Sequence, residues 1–284
     1  MPPPWRTIVD AASLAAAMRD GTDLVVLDCR HQLADPEAGA RQYAEGHLPG
    51  AVHAHVDRDL SSRPRPATGR HPLPDVDAWV ETCGRWGIAD GVQVVAYDEA
   101  AGAWASRAWW LLRHYGHDAV AVLDGGLAAW RAAGLPVTTD VPPPRPRRFR
   151  GFPGHMPTVT AWDLTTRAPR CIVDARAAPR YRGEEEPIDP VAGHIPHARS
   201  MPTSGNVGPD GRFLPPHELR ARYEAALAGV APRDAAFYCG SGVTAPHDIL
   251  AMEVAGLPGA ALYPGSWSEW IRNPMRPVAR GADP

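Results

Sequence analysis

The most conspicuous absence in this sequence of 284 residues is lysine, because all 29 basic residues are arginines. The chain therefore cannot form a lysine Schiff base, use a lysine as general base or build the lysine of a phosphate-binding P-loop. Acidic residues number 32 and the net charge is −3 at pH 7. Such a balance predicts neither nucleic acid nor an acidic membrane surface as a partner.

Cysteine is also scarce, and long apolar runs are missing. The four cysteines are Cys29, Cys83, Cys171 and Cys239. They form no C-x-x-C pair, so the sequence contains neither a zinc knuckle nor a dithiol motif, and we expect no metal and no cofactor. No stretch is long and apolar enough to cross a bilayer, and the first residues do not resemble a signal peptide. We therefore expect a cytoplasmic protein without membrane contact.

The two halves of the chain repeat each other. Residues 27–30 (Leu-Asp-Cys-Arg) return as residues 173–176 (Val-Asp-Ala-Arg), and residues 46–49 (Gly-His-Leu-Pro) return as residues 193–196 (Gly-His-Ile-Pro). The distance along the chain between matching motifs stays nearly constant. Such self-similarity indicates a duplicated domain.

Each half alternates apolar strands with amphipathic helices, a pattern typical of a parallel sheet flanked by helices. We predict strands at residues 24–28, 92–97, 119–123, 171–174, 235–238 and 260–263. Predicted helices cover residues 75–87, 104–115, 127–133, 216–228, 246–255 and 267–272. The sequence thus predicts two tandem α/β domains, residues 1–140 and 158–284. Residues 141–157, rich in proline and arginine, form a stiff linker between them.

The stretch around Cys239 carries the strongest chemical signal. Cys239 follows a predicted strand and precedes Gly-Ser-Gly-Val-Thr, after which a helix begins. Backbone N–H groups and the positive end of the helix dipole converge at such a turn, which favours an anion. These surroundings can lower a thiol pKa from roughly 8.5 to between about 3.5 and 7.5. The alternative is a buried structural cysteine, which we favour for the other three.

This loop resembles the active-site loop of the rhodanese superfamily, in the form found in mercaptopyruvate sulfurtransferases. The paired Asp-x-Arg, Gly-His-(Leu/Ile)-Pro and Gly-(Gly/Ser)…Trp motifs extend the resemblance over nearly the whole chain. It implies two tandem rhodanese-like domains, each a parallel sheet flanked by helices. The first is an inactive repeat, because Asp98 stands where the second has Cys239 and a carboxylate cannot form a persulfide.

The resemblance also implies a sulfur-transfer site. Cys239 is the expected nucleophile, and Ser241 is expected to act with Asp57 and His71 of the first domain. Arg180 is expected to bind the anionic end of the donor; the alternative is an ion pair with the acidic residues 184–186. Further expected substrate-binding residues are Gly240, Gly242, Val243 and Thr244. Relatives that use mercaptopyruvate usually carry a second arginine where this chain has Ile188. Arg182 is the candidate to take over the role of that missing arginine.

The resemblance implies a small-molecule sulfur donor and a thiol acceptor such as a thioredoxin-like protein. We expect 3-mercaptopyruvate as donor, with thiosulfate as the alternative main donor and a non-catalytic sulfur carrier as the alternative function. A cysteine phosphatase or arsenate reductase would require an arginine six residues after the cysteine, where this chain has Ala245. A metallohydrolase based on His53 and His55 remains a weaker alternative, because an H-x-H pair alone is a weak signal.

Overall fold

The computed structural model describes residues 4–166 and 170–284. Contacts divide the chain into two compact units. The first comprises Met1–Ser62, Pro74–His155 and Gly208–Phe213, and the second comprises Arg63–Leu73, Met156–Val207 and Leu214–Pro284. Residues 63–73 thus belong to the second unit, although the residues on either side of them in the sequence belong to the first. Residues 208–213 belong to the first unit, although their neighbours in the sequence belong to the second. Within the described residues, no helix has the length and apolar character needed to cross a membrane.

The first unit is built on a five-stranded parallel sheet of order β1-β5-β4-β2-β3. Its strands are β1 (Ile8–Val9), β2 (Leu24–Asp28), β3 (Ala51–His53), β4 (Gln93–Tyr97) and β5 (Val120–Leu123). Its helices are α1 (Ala11–Arg19), α2 (Ala38–Glu45), α3 (Val76–Arg85), α4 (Ala105–His114) and α5 (Gly126–Ala132). All five residues of β4 are buried, as expected for an interior strand covered on both faces.

The second unit repeats this plan with a four-stranded parallel sheet of order β7-β6-β8-β9. Its strands are β6 (Cys171–Asp174), β7 (Ala198–Ser200), β8 (Ala235–Tyr238) and β9 (Ala261–Leu262). Its helices are α6 (Ala161–Thr166), α7 (Ala178–Arg182), α8 (Pro216–Leu227), α9 (Ala245–Val254) and α10 (Ser266–Trp270). The predicted fold class is therefore confirmed.

The six predicted strands and six predicted helices are all present, with ends shifted by at most two residues. The sequence pattern missed the short strands β1, β3 and β7, which have only two or three residues each. It also missed four helices, α1, α2, α6 and α7. Of these, α1 begins at the N-cap Asp10, whose carboxylate accepts the Ser13 N–H. Residues 141–157 contain no helix or strand.

The repeated motifs form matching scaffolds inside the two units. Arg30 Nη2 lies 2.6 Å from Asp28 Oδ2 and 2.8 Å from the carbonyl oxygen of Gly46. Arg176 repeats these contacts at 2.6 Å to Asp174 and 2.6 Å to the carbonyl of Gly193. Each buried arginine thus fastens the end of a central strand to the Gly-His-(Leu/Ile)-Pro turn.

Candidate functional site

Cys239 lies directly after β8, an interior strand between β6 and β9. The carboxyl ends of parallel strands form the edge at which α/β proteins bind ligands. The start of α10 fixes the following loop, because Trp267 N–H donates to the Cys239 carbonyl at 3.0 Å and Ser268 N–H to the Gly240 carbonyl at 2.9 Å. The loop backbone is therefore held in place before any ligand arrives.

The loop turns its backbone donors toward the Cys239 sulfur. Gly242 N–H lies 3.1 Å from Sγ. Gly242 has φ +80°, and a Cβ there would lie 2.2 Å from the Pro264 carbonyl oxygen. A side chain at this position would be strained by its backbone angle and would clash, which explains why the loop needs glycine here. Val243, also expected in the site, is buried in the same loop.

The pKa of Cys239 distinguishes it from the other three cysteines. Burial acts to raise the Cys239 pKa, but hydrogen bonds from the Thr244 side chain and from the backbone amides of Ser241, Ala245 and Thr244 outweigh it and lower the pKa. Thiolate is the nucleophilic form of cysteine.

At the other three cysteines burial raises the pKa, and nothing outweighs it. The affected thiols are those of Cys29, Cys83 and Cys171. Of the four thiols, only that of Cys239 has its pKa shifted toward the reactive thiolate form.

Two of the expected catalytic side chains lie together. His71 Nδ1 is 2.7 Å from Ser241 Oγ, and both side chains are buried. His71 was expected in the first domain, yet the segment Arg63–Leu73 belongs to the second unit, with Cys239. Asp57 belongs to the first unit, in the turn after β3, where its N–H donates to His55 Nδ1 at 3.1 Å.

Arg180 projects from the short helix α7 and is held by carboxylates. Its Nη2 lies 2.6 Å from Glu186 Oε1 and 3.1 Å from Asp189 Oδ2. The ion pair anticipated as the alternative reading is thus present. Its Nη1 nevertheless lies 3.5 Å from the position that a Cβ on Gly240 would take. Ile188 is 41% exposed and uses only its backbone N–H, which donates to Glu186.

The sequence pattern missed Arg70. Its Nη1 contacts Asp189, its backbone N–H donates to Ser268 Oγ at 3.1 Å, and its Nη2 lies 3.1 Å from a Cβ position on Gly240. Its place immediately before His71 was the only signal in the sequence.

Ser266 was also missed. It has φ +54°, its Oγ accepts the Cys239 N–H at 3.1 Å, and it donates to the Tyr263 carbonyl at 2.9 Å. The matching residue of the first half is Gly126, with φ +55°. The first repeat has Gly-Gly where the second has Gly-Ser, and this difference could have indicated that Ser266 belongs to the site.

The histidines proposed for a metallohydrolase do not gather metal ligands. The rings of His53 and His55 are 5.9 Å apart and nearly perpendicular. Across the described ranges, no group of three or more histidine, cysteine or acidic side chains is arranged to hold a metal ion.

Comparisons with known proteins agree with this geometry. The family profile described as "Rhodanese-like domain" matches residues 10–133 and 160–273. A probable 3-mercaptopyruvate sulfurtransferase of Pseudomonas aeruginosa is 50% identical, over 96% of this chain and 98% of the relative. A thiosulfate sulfurtransferase of Bos taurus is 31% identical, over 94% and 92%.

Among solved structures, 3-mercaptopyruvate sulfurtransferase from Leishmania major superposes with a TM-score of 0.84 at 31% identity. The match covers 95% of this chain and 76% of that one. Sequence identity and fold therefore agree along both halves. The chain belongs to the rhodanese family, and it is a sulfurtransferase.

Proposed function

We propose that this sulfurtransferase takes a sulfur atom from 3-mercaptopyruvate, holds it as a persulfide on Cys239 and passes it to a thiol. The observation that carries the proposal is the hydrogen-bonded, buried Cys239 with its lowered pKa, in the loop whose Ser241 bonds His71. A thiolate in such a loop is the expected nucleophile for a two-step transfer.

In the first step the Cys239 thiolate attacks the donor sulfur. An S–S bond forms as the donor C–S bond breaks, and the electron pair of that bond passes to the pyruvate enolate, which takes up a proton at carbon. The Ser241–His71 pair would supply that proton. In the second step an acceptor thiolate attacks the outer sulfur, and Cys239 leaves as thiolate.

The loop backbone holds the charge that remains between the steps. The N–H groups of Gly240, Gly242, Val243 and Thr244 would stabilise the persulfide anion, as an oxyanion hole stabilises developing charge. Arg180 would bind the donor carboxylate, since a guanidinium fork matches that group. Asp57 belongs to the first unit and keeps the catalytic role that the family resemblance implies.

Two features bear on the choice of donor in opposite directions, so that we propose 3-mercaptopyruvate as donor with thiosulfate as a competitor. The side chains of residues 240–244 carry no positive charge, which disfavours a small dianion. Ile188 supplies no carboxylate contact, and a lost charge-assisted bond weakens binding about 10- to 150-fold. We therefore expect weak apparent affinity for 3-mercaptopyruvate.

We further propose a thioredoxin-like acceptor and a cytoplasmic location. Support for a reducing compartment is that all four cysteines are free thiols in the structure. The proposed domain limits remain residues 1–140 and 158–284, joined by residues 141–157.

Intact-protein mass spectrometry after treatment with 3-mercaptopyruvate tests the proposal. The wild type should gain one sulfur atom, Cys239→Ser should gain none and have no transferase activity, and the control Cys171→Ser should load like the wild type. Sulfur on Cys239→Ser would refute the assignment. Higher kcat/KM with thiosulfate would refute the choice of donor, and loading without turnover would favour a sulfur carrier.

A further inference from the structure

We propose that the first unit binds a small uncharged heteroaromatic molecule, of the nucleobase class, in a cavity at the carboxyl edge of its own sheet. The cavity has a volume of about 290 Å³. This volume lies at the lower end of the range for ligand sites, and it suits a single ring system better than a dinucleotide. The site goes beyond the sulfur-transfer reaction, because the residues that line it all belong to the first unit and include none of the expected catalytic residues.

The cavity lies where the connections of the first sheet diverge. From β2 the chain passes to its neighbour β3, and from β4 it passes to β5 on the opposite side of the sheet. Strands β2 and β4 pair with each other and end level, since Asp28 lies opposite Tyr97. The two following loops turn away from each other, and open parallel sheets bind ligands in the crevice that this leaves. Residues 30–32 after β2 and residues 99, 100 and 104 after β4 line the cavity.

The equivalent position of the second sheet carries the nucleophile. In that sheet the connections diverge between β6 and β8, and Cys239 follows β8. The first unit has Asp98 at this position, and its carboxylate accepts four backbone N–H groups of its own loop. The crevice of the first unit is therefore suited to binding a ligand and not to sulfur chemistry.

The charges around the cavity cancel, which favours an uncharged ligand. The Arg30 side chain is 3% exposed, and its Nη2 lies 2.6 Å from Asp28 Oδ2. The acidic residue of the lining, Glu99, lies 3.2 Å from Arg131 Nη1 and 3.8 Å from Arg30 Nη1. Two carboxylates thus balance two guanidinium groups, and an ion bound here would be desolvated without a partner.

Two aromatic side chains form a rigid wall of the cavity. The Trp104 N–H donates to Asp98 Oδ2 at 2.8 Å, which fixes the backbone that carries the indole. The His31 ring meets the indole edge-on, with ring centres 5.0 Å apart and planes at 75°, and His31 is buried. Because these neighbours already hold the indole, a flat ligand can stack on it with little loss of side-chain entropy.

The polar groups of the lining suit the edge of such a ring. Gln32 and Gln42 each offer an amide N–H donor and a carbonyl acceptor, and the Trp104 indole offers a further donor. Among the residues that the structure describes, none of these three side chains has a hydrogen-bond partner. A glutamine amide can pair with adjacent donor and acceptor atoms on a base, as it does with adenine. The aromatic wall and the amides together match a ring of this class.

Isothermal titration calorimetry of the full chain with adenosine and, separately, with uridine tests the site. We expect the wild type to bind at least one of them with a Kd below about 1 mM. Trp104→Ala should weaken that binding about 5- to 150-fold, because the stacking surface is lost. Ala100→Phe, which places a large side chain in the cavity, should weaken it at least as much. The control Trp162→Ala removes an indole that is 71% exposed on α6 of the second unit, and it should leave the Kd unchanged.

The remaining outcomes decide against the proposal. Ala100 is exposed, so Ala100→Phe tests the site even if circular dichroism shows that Trp104→Ala does not fold. Undetectable binding of both nucleosides by the wild type, or equal affinity in the wild type and Ala100→Phe, overturns the site. Adenosine monophosphate should bind within about threefold of adenosine, because no surplus charge attracts its phosphate. A gain of more than about tenfold with the monophosphate would indicate an anion site and overturn the assignment of an uncharged ligand.

Discussion

The loops that follow β4 and β8 place two different side chains in the same kind of backbone cradle. In the first unit the Asp98 carboxylate accepts N–H bonds of 2.8–2.9 Å from Ala100, Gly102, Trp104 and Ala105. In the second, the Cys239 sulfur accepts N–H and hydroxyl hydrogen bonds from its loop. Both loops therefore bind an anion at the start of a helix.

The difference between the loops separates the backbone that both units share from the side chains that are expected to carry the chemistry. The first loop fills its cradle permanently with its own carboxylate. Between Asp98 and Trp104 it has no hydroxyl side chain, whereas the second loop has Ser241 and Thr244. The backbone arrangement thus forms without a catalytic residue, and we expect sulfur transfer to depend on the few side chains that differ.

Removing the Ser241 hydroxyl makes the second loop more like the first, and should have the largest of four expected effects. Ser241→Ala should slow persulfide formation about 100-fold, because the proton relay with His71 is broken. Rapid-quench measurement of single-turnover sulfur loading tests this. His71→Ala should slow persulfide formation by about the same factor, and the double variant Ser241→Ala/His71→Ala should be no slower than either single variant. Additive losses in the double variant would argue against a shared relay.

Removing the Thr244 hydroxyl should change the pH profile. Its hydrogen bond lowers the Cys239 pKa, so Thr244→Ala should raise that pKa. Thiolate is the reactive form, so activity should fall most at low pH and recover as pH rises through the new pKa. A rate loss of equal size at every pH between 6 and about 10 would contradict this account.

Removing the Asp98 carboxylate from the loop after β4 should lower the free energy of unfolding more than it lowers kcat. Asp98→Ala leaves four N–H groups, two of them buried, without their acceptor, which should cost roughly 2–4 kcal/mol of unfolding free energy. Thermal melting should show that the Tm of Asp98→Ala is lower by several degrees, while its kcat per folded molecule stays within a few fold of the wild type. If the kcat of Asp98→Ala fell as far as that of Cys239→Ser, the first unit could not be an inactive repeat.

The smallest effect on activity is expected one turn into the helices, where a substitution should change only the pH dependence of stability. The fourth residue of α4 is Ala108, but that of α9 is Asp248, fully buried and bonded to Asn206 and Tyr223. Burial raises the pKa of Asp248 to about 7.

The unfolded state releases this proton near pH 4, so stability should fall as pH rises from about 4 to 7. Asp248→Asn should remove this fall, which amounts to a few kcal/mol of unfolding free energy between about pH 4 and 7, and denaturation at several pH values would detect the difference. An unchanged slope would mean that Asp248 is ionised throughout this range.

The sequence predicted those parts of the fold and site that local chemistry determines. Interior strands such as β4 and β8 are continuous apolar runs, and Cys239 stands in a glycine-rich turn whose donors follow from local geometry. Edge strands of two or three residues leave no periodic pattern. Arg70 was missed because its partner Asp189 is distant in sequence, and no local rule predicts that a surface-like arginine meets a buried carboxylate. The crossing of Arg63–Leu73 into the second unit was missed for the same reason.

The burial of Cys239 also bears on its chemical survival. The thiolate that the loop stabilises is the form that peroxide oxidises to sulfenic acid and beyond. Only 1% of this residue is exposed, so burial limits how readily an oxidant reaches the sulfur. A donor bound beside Cys239 would shield the sulfur further, and we expect the enzyme without donor to be the state that peroxide oxidises most readily.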